Sequence, residues 1–398
     1  MGRPNEGELQ CPPAESFSLT GGGPFDRLLV RLGQKGGGRD RVIRRAVFAV
    51  ALTWLPLLTL SLAQGVAFGP RVEIAFLRDI AVNLRFLVAL PILILAESRI
   101  DRRWRQLVLE FLRTRLVSPA ELPAFAAVID GVTRLRDRVL PEAVLAVVAF
   151  LPSLFVAWME LLSVSSWHSV GAGGSEVSLA GWWFNLVSTP VFRFLLLRWA
   201  WRMLLWTLFL WRVSRLGLQL VATHADRAAG LGFLSEGQRT FTPIVFAGGV
   251  VVAGQVGNAI AYEGATLSAV QSHMIAYGVL ALLVLVAPLL AVAPVLVEVK
   301  KRALFEYGAL LTNHAQSFDA KWIRGDRSPN EVILGSPDAS SLADLGSSFT
   351  VVREMGVVPI DRRTLIVLAL AAALPMLPVV IFATPANELI GAVIKMLG

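Results

Sequence analysis

The sequence predicts an all-α, polytopic transmembrane bundle of about seven spans with a cytoplasmic helical hairpin. Three observations lead there. Mean hydropathy is +0.63, and 55% of the 398 residues are hydrophobic against 17% charged, which is the composition of a membrane protein. Seven apolar runs approach the roughly 20 residues that a helix needs to cross a bilayer. Lys and Arg are also distributed unevenly between alternate loops, as in proteins oriented by positive charge.

Four regions follow from this pattern: a cytoplasmic N-terminal tail (1–45), spans one to six with an inner-surface helical loop at 98–138 (46–297), a cytoplasmic helical hairpin (298–363), and a seventh span with a short C-terminal segment (364–398). Residues 1–24, rich in Gly, Pro and polar residues, read as disordered. Phe25–Leu32 reads as a short amphipathic helix on the inner membrane surface, with Arg27 and Arg31 one turn apart. A frayed tail helix fits that stretch equally well. Arg39, Arg41, Arg44 and Arg45 then flank the first span, Ala46–Ala67, which Pro56 is placed to kink.

The second span covers Ile80–Glu97 and the third Leu140–Leu162, with Glu142 and Glu160 at its ends. The fourth, Leu186–Trp211, carries Arg193, Arg198 and Arg202 among four tryptophans. The fifth, Phe241–Tyr262, holds Gly248, Gly249, Gly254 and Gly257, small residues that allow helix backbones to approach closely. The sixth covers Met274–Val297 and the seventh Thr364–Ala383, each with two prolines. Ala386–Leu397 is too short to span. The arginines of loop 98–138 read either as lipid-headgroup contacts or as solvated charge. Beyond the sixth span, Leu304, Tyr307, Leu311, His314 and Phe318 line one helix face, and Leu342, Leu345, Phe349 and Val352 line a second. These two stripes predict an antiparallel hairpin.

Thirty Lys or Arg residues fall in the N-terminal tail and loops 98–138, 212–240 and 298–363, whereas the opposite loops and the C-terminal tail hold only Arg71, Arg78 and Lys395. The N-terminus is therefore expected in the cytoplasm and the C-terminus outside. The net charge of +8 is thus accounted for without nucleic-acid binding. Cys11, the only cysteine, excludes an internal disulfide and a cysteine metal cluster. The first apolar run begins near Val47, so no cleavable signal peptide is expected. None of His168, His224, His273 and His314 lies mid-span, and no zinc spacing or nucleophile elbow is present. No cofactor and no enzymatic activity are expected.

Four blocks, LRFLVALPILILAE (84–97), THADRAAGLGFL (223–234), FEYGALLTNHAQSFDAKWI (305–323) and GSPDASSLADLGSSFTVVREM (335–355), resemble the recurring blocks of a family of bacterial polytopic inner-membrane proteins with no assigned activity. Ala225 stands where that family tends to have Pro, giving it a stiffer turn. The resemblance implies a multi-pass protein of a bacterial inner membrane and brings no function with it.

Two candidate sites emerge. On a helical wheel Arg198 and Arg202 lie about 40° apart and Arg193 points nearly the opposite way. An arginine at bilayer mid-depth is costly and usually functional. The span limits place every acidic residue near a span end, so no carboxylate is expected at the depth of Arg198 and Arg202. That leaves a cavity between the second, fourth and fifth spans, with Arg85, Gln255 and Asn258 as further members, for an anion, a small solute or a lipid phosphate. Amides, tryptophans and trapped water around the two guanidiniums are the purely structural alternative. The second site is the turn at His224, Asp226 and Arg227, either a phosphate cradle or a structural turn. Three functions fit: a channel or transporter for an anion or small solute; a non-transporting sensor or scaffold acting through the hairpin; and an enzyme on a lipid or prenyl-phosphate headgroup, which no motif supports. Membrane lipids are the expected partners, and a homo-oligomer is compatible with the sequence.

The orientation is tested by alkaline phosphatase fusions. Fusions after Gly173 and Gly264 should be active and those after Arg115 and Gly325 inactive; activity at Gly325 would reverse the topology.

Overall fold

The computed structural model describes residues 11–31, 39–69, 71–159, 166–170, 176–325, 333 and 337–383. The chain is a helical membrane bundle. Six helices are long and apolar enough to cross a bilayer: Asp40–Ala63, Ile80–Arg113, Leu179–Val213, Phe233–Tyr262, Leu267–Ala291 and Arg362–Ala383. They are the first, second, fourth, fifth, sixth and seventh predicted spans. The third, Val139–Met159, is also helical, with a shorter apolar stretch, Val139–Pro152, among the described residues. Among the described residues, extended pairing is limited to a two-residue antiparallel pair, Ser169–Val170 with Glu176–Val177, and an isolated bridge between Ile74 and Ser166. Glu160, the segment 386–397 and most of the hairpin connection lie outside the described residues.

The first span breaks at Trp54, between Arg39–Thr53 and Leu55–Ala63, as the ring of Pro56 requires. Pro56 removes the donor that Leu52 O would otherwise receive. Trp183 Nε1 donates to that carbonyl at 3.2 Å, and Ser188 Oγ donates to Thr53 O at 2.7 Å. Side chains of the fourth span thus take up the backbone groups at the kink, as a low-dielectric setting demands.

The glycines of the fifth span place it at the centre of the bundle. A Cβ on Gly254 would lie 2.9 Å from Ala81 Cα in the second span, one on Gly249 would lie 2.8 Å from Ala372 O in the seventh, and one on Gly248 would strike Tyr277 of the sixth. Close backbone approach, expected from the small residues, is what joins these four helices.

The face carrying the N-terminal segment departs most from the sequence reading. Residues 11–24 are not a loose tail: Cys11, Ala14, Phe17 and Leu19 are buried. In loop 98–138 the second span continues as helix to Arg113, and Leu122–Arg136 packs against the fourth span. An aromatic core fills the space between, with Phe17 and Phe209 5.4 Å apart, Trp104 stacked on Trp206 at 5.7 Å and Phe111 5.1 Å from Phe233. A Gly- and Pro-rich composition suggested disorder, but four apolar side chains suffice to dock a segment when a preformed aromatic surface awaits them. Several arginines of this loop meet carboxylates: Arg103 pairs with Glu236 at 3.1 Å, Arg105 with Asp101 at 3.8 Å and Arg136 with Asp137 at 2.7 Å.

Beyond the sixth span, Ala293–Phe318 and Pro337–Glu354 form the expected antiparallel hairpin. His314 Nε2 meets Ser341 Oγ at 2.9 Å and Lys321 pairs with Asp338 at 2.8 Å. Asp338 also accepts from Trp322 Nε1 at 3.0 Å. The predicted stripes face each other but are only half-buried apart from Val352, so the hairpin is held as much by these polar links as by apolar burial.

Candidate functional site

The fourth span begins at Leu179, seven residues earlier than predicted, because Ser178 Oγ caps it by accepting from Gly181 N at 2.8 Å. Arg198 is consequently 19 residues into the helix, or about 28 Å at 1.5 Å per residue. It stands near the middle of this 35-residue helix, Leu179–Val213. Glu97 reaches the same level, 17 residues from the start of the second span. The expectation that no carboxylate shares their depth is therefore overturned: Arg202 Nη1 lies 2.8 Å from Glu97 Oε1, Arg198 Nη1 3.9 Å from the same atom, and Arg198 Nε 3.5 Å from Glu142 Oε1. All four side chains are buried.

The N-terminal segment closes the cluster. Arg202 Nη2 donates to Thr20 O at 3.3 Å and Phe25 N to Glu142 Oε2 at 2.6 Å. The Phe25 ring covers Arg198 at 4.6 Å, and Trp199 lies 4.9 Å from Arg202. Of the other tryptophans, Trp206 belongs to the aromatic core and Trp211 pairs with Arg215. One turn on, Asp26 pairs with Arg45 of the first span at 2.6 Å. Burial opposes ionisation of Asp26, but the Gly22 N–H and the Arg45 charge outweigh it and hold the carboxyl below its ordinary value. Pro24–Arg31 is thus docked on the bundle by an ion pair and an aromatic ring rather than resting on lipid alone.

Three predicted partners lie elsewhere. Gln255 is exposed on the outer surface of the fifth span. Asn258 Nδ2 donates to Asp79 Oδ1 at 2.9 Å, while its Oδ1 accepts from Ile80 N at 2.9 Å. Arg85 lies 12 residues from Glu97 along the second span, or about 18 Å, and packs 5.9 Å from the Phe192 ring. Asn258 and Arg85 belong to a separate polar knot at the opposite end of the bundle, centred on Asp79. That carboxylate is buried. It caps the second span through Val82 N at 3.0 Å and accepts from Trp167 Nε1 at 2.9 Å. His168 approaches it at 3.9 Å. Burial pushes the His168 imidazole down to about 4, with Arg85 repelling its proton and Asp79 only partly compensating, so the ring is neutral near pH 7. A π-turn follows in each of the second and fourth spans, at Arg85–Ala89 and Phe184–Ser188.

At the turn between the fourth and fifth spans, the cradle of backbone donors exists but the chain fills it. Asp226 accepts from Ala228 N at 2.9 Å, Gly230 N at 3.1 Å and Gly232 N at 2.8 Å. Arg227, Ala229 and Gly230 all take positive φ, at 55°, 54° and 95°, which aims these N–H groups at one point. Burial opposes the Asp226 charge, but the three donors and His224 outweigh it and lower the pKa. Of the two readings of His224, Asp226 and Arg227, the geometry takes the structural turn. Arg227 O then accepts from Gly356 N at 2.8 Å and its guanidinium pairs with Glu354 at 3.0 Å, which ties the hairpin to the bundle.

Sequence reasoning missed Glu97, Glu142, Asp26 and Phe25 as members of the arginine site and Asp79 as the centre of the opposite one. The available signal was that each carboxylate sits at the end of an apolar run, where two spans of different length bring end and middle to one level. Among the described residues no group of three His, Cys, Asp or Glu stands close enough to hold a metal ion. Compared with protein-family models, curated proteins and solved structures, the chain matches none.

Removing one member of the buried cluster strands a charge. Arg202→Gln or Glu97→Gln should each cost about 3–5 kcal/mol, read as loss of melting stability in detergent, and the double variant should cost less than the sum by about 1–3 kcal/mol. Additive losses would mean that the pair is not coupled. Asp226→Ala, which leaves three donors unmet, should cost about 3 kcal/mol at neutral pH. Because the folded carboxyl titrates below its ordinary value, that difference should shrink as the pH falls through the depressed pKa.

Proposed function

We propose that the chain is a non-transporting protein of a bacterial inner membrane, N-terminus cytoplasmic, that serves as a sensor or scaffold by presenting its helical hairpin to a cytoplasmic partner. The observation that carries this reading is the way the hairpin is mounted. Its first helix follows directly on the sixth span. Its second returns to the Asp226 turn, where Arg227 holds Glu354 and Gly356, while Lys300 Nζ donates to Met355 O at 2.6 Å. Further along, Asp361 bonds to Ser235 at the start of the fifth span and caps the seventh through Thr364 N at 3.3 Å. A displacement of the hairpin is therefore carried to two central spans through short polar links. On its outer side Phe305 is 82% exposed and Ile323 72%. We take these two exposed side chains as the points where a partner would make contact.

The transport reading rested on uncancelled charge at Arg198 and Arg202. Both guanidiniums lie within 4 Å of a carboxylate, and Arg85, Gln255 and Asn258 do not join them, so we favour the scaffold.

The two functions separate experimentally. A photo-crosslinking residue at position 305 should give one discrete adduct in cells, reduced by Ile323→Asp, and purified protein in liposomes should pass none of a broad anion panel. Absence of any adduct at 305, 310 and 323 would reject the scaffold. Anion flux abolished by Arg198→Gln with Arg202→Gln would restore the transporter.

A further inference from the structure

A cavity of about 330 Å³ lies between the helix Pro24–Arg31 and the first, second and fourth spans. Its walls are apolar: Leu52, Leu90 and Val191 mark the end toward the bilayer centre, and Phe25 and Leu29 roof it. Its other end is charged, lined by Arg45, Glu97 and Arg198. At its mouth stand Leu28 and Phe48, 50% and 52% exposed, so the opening faces the apolar surface of the bundle. An apolar cavity of this size is not filled by ordered water, which needs polar partners; it is filled by apolar matter.

The charged end contains an unmet donor. The Arg45 side chain is only 10% exposed. One of its terminal nitrogens pairs with Asp26, but its Nε has no acceptor among the described residues, and neither has Arg41 Nε beside it. In this layer four guanidiniums (Arg41, Arg45, Arg198 and Arg202) face three carboxylates (Asp26, Glu97 and Glu142). The site is therefore one negative charge short, next to an apolar slot that opens sideways.

We propose that this cavity binds one acyl chain of an anionic membrane phospholipid, which enters between Leu28 and Phe48 and sets its phosphate against Arg41 and Arg45. The slot accounts for the chain, and the surplus positive charge of Arg41 and Arg45 at its polar end accounts for the anionic headgroup. A zwitterionic lipid supplies the same phosphate but brings a cation to a site already rich in cations. The occupant holds the N-terminal helix to the first span and so closes the buried Arg–Glu cluster. This inference requires only that the bundle is in a membrane; it stands or falls apart from the hairpin's role.

The test is native mass spectrometry of the full chain in detergent, titrated with dioleoylphosphatidylglycerol, dioleoylphosphatidylcholine or inorganic phosphate. One phosphatidylglycerol should be retained per chain, at least tenfold more tightly than phosphatidylcholine, with no stabilisation by inorganic phosphate. Ala49→Phe, which fills the slot, should lose the adduct while keeping the melting temperature of lipid-free wild type. Arg45→Gln also breaks the Asp26 pair, so Arg41→Gln is the independent variant, and it should cut the preference for phosphatidylglycerol several-fold. Equal retention of both lipids, an undiminished adduct in Ala49→Phe and Arg41→Gln, or stabilisation by inorganic phosphate alone to the same extent would overturn the proposal.

Discussion

Two guanidiniums buried within the fourth span must be neutralised where they stand, and the architecture of that half of the molecule follows from how this is done. Transfer of an ion from water into a low-dielectric interior costs several kcal/mol even after relaxation, so Arg198 and Arg202 are tolerated only with Glu97, Glu142 and the carbonyl of Thr20 in place. Those partners come from the second span, the third apolar helix and the N-terminal segment. None of the four elements can adopt its final position without the others, and the fourth span is the one that touches all of them. The cluster is as much a means of specifying one arrangement of helices as a source of stability, since a bundle of apolar helices in lipid has little else to fix their relative depth.

A second polar centre fixes the other end. Asp79 joins the second span to the fifth through Asn258 and to the loop before the fourth span through Trp167. Between the two centres lie close backbone contacts at Gly249 and Gly254, with side-chain hydrogen bonds only to backbone carbonyls, as at the Pro56 kink. The molecule therefore has polar links at both ends and close packing at mid-depth, the distribution expected when unpaired polar groups are most costly at the bilayer centre. The hairpin extends this scheme beyond the membrane. It is joined to the bundle at the Asp226 turn and at Ser235–Asp361, both of which lie where spans end and water supports local charge.

Much of the fold was legible in the sequence, and for identifiable reasons. Apolar runs of membrane length report a local requirement, that every backbone donor be met within its own helix, and all seven were found as helices. The hairpin stripes follow from a 3.6-residue period, and the Pro56 break from the missing N–H of proline. The Asp226 turn was also within reach, because its three donors come from residues two to six positions away.

The arginine site was not legible, because it depends on where helices begin and how deep they sit. The second and fourth spans both run beyond their predicted limits, as helices of 34 and 35 residues, and Arg198 and Glu97, about a hundred residues apart in the chain, meet near the middle of the two. The docking of residues 11–31 was hidden for a related reason: Phe17 and Phe25 have no partner in their own segment, and the surfaces that receive them are assembled from the second, third and fourth spans. The sequence by itself determined which segments enter the membrane and the local form of each turn, since those depend on neighbours within a few residues. Only the tertiary structure decided which buried charge meets which, because a pairing across a bundle depends on the relative depth of two helices, and depth is set by the sum of all their contacts.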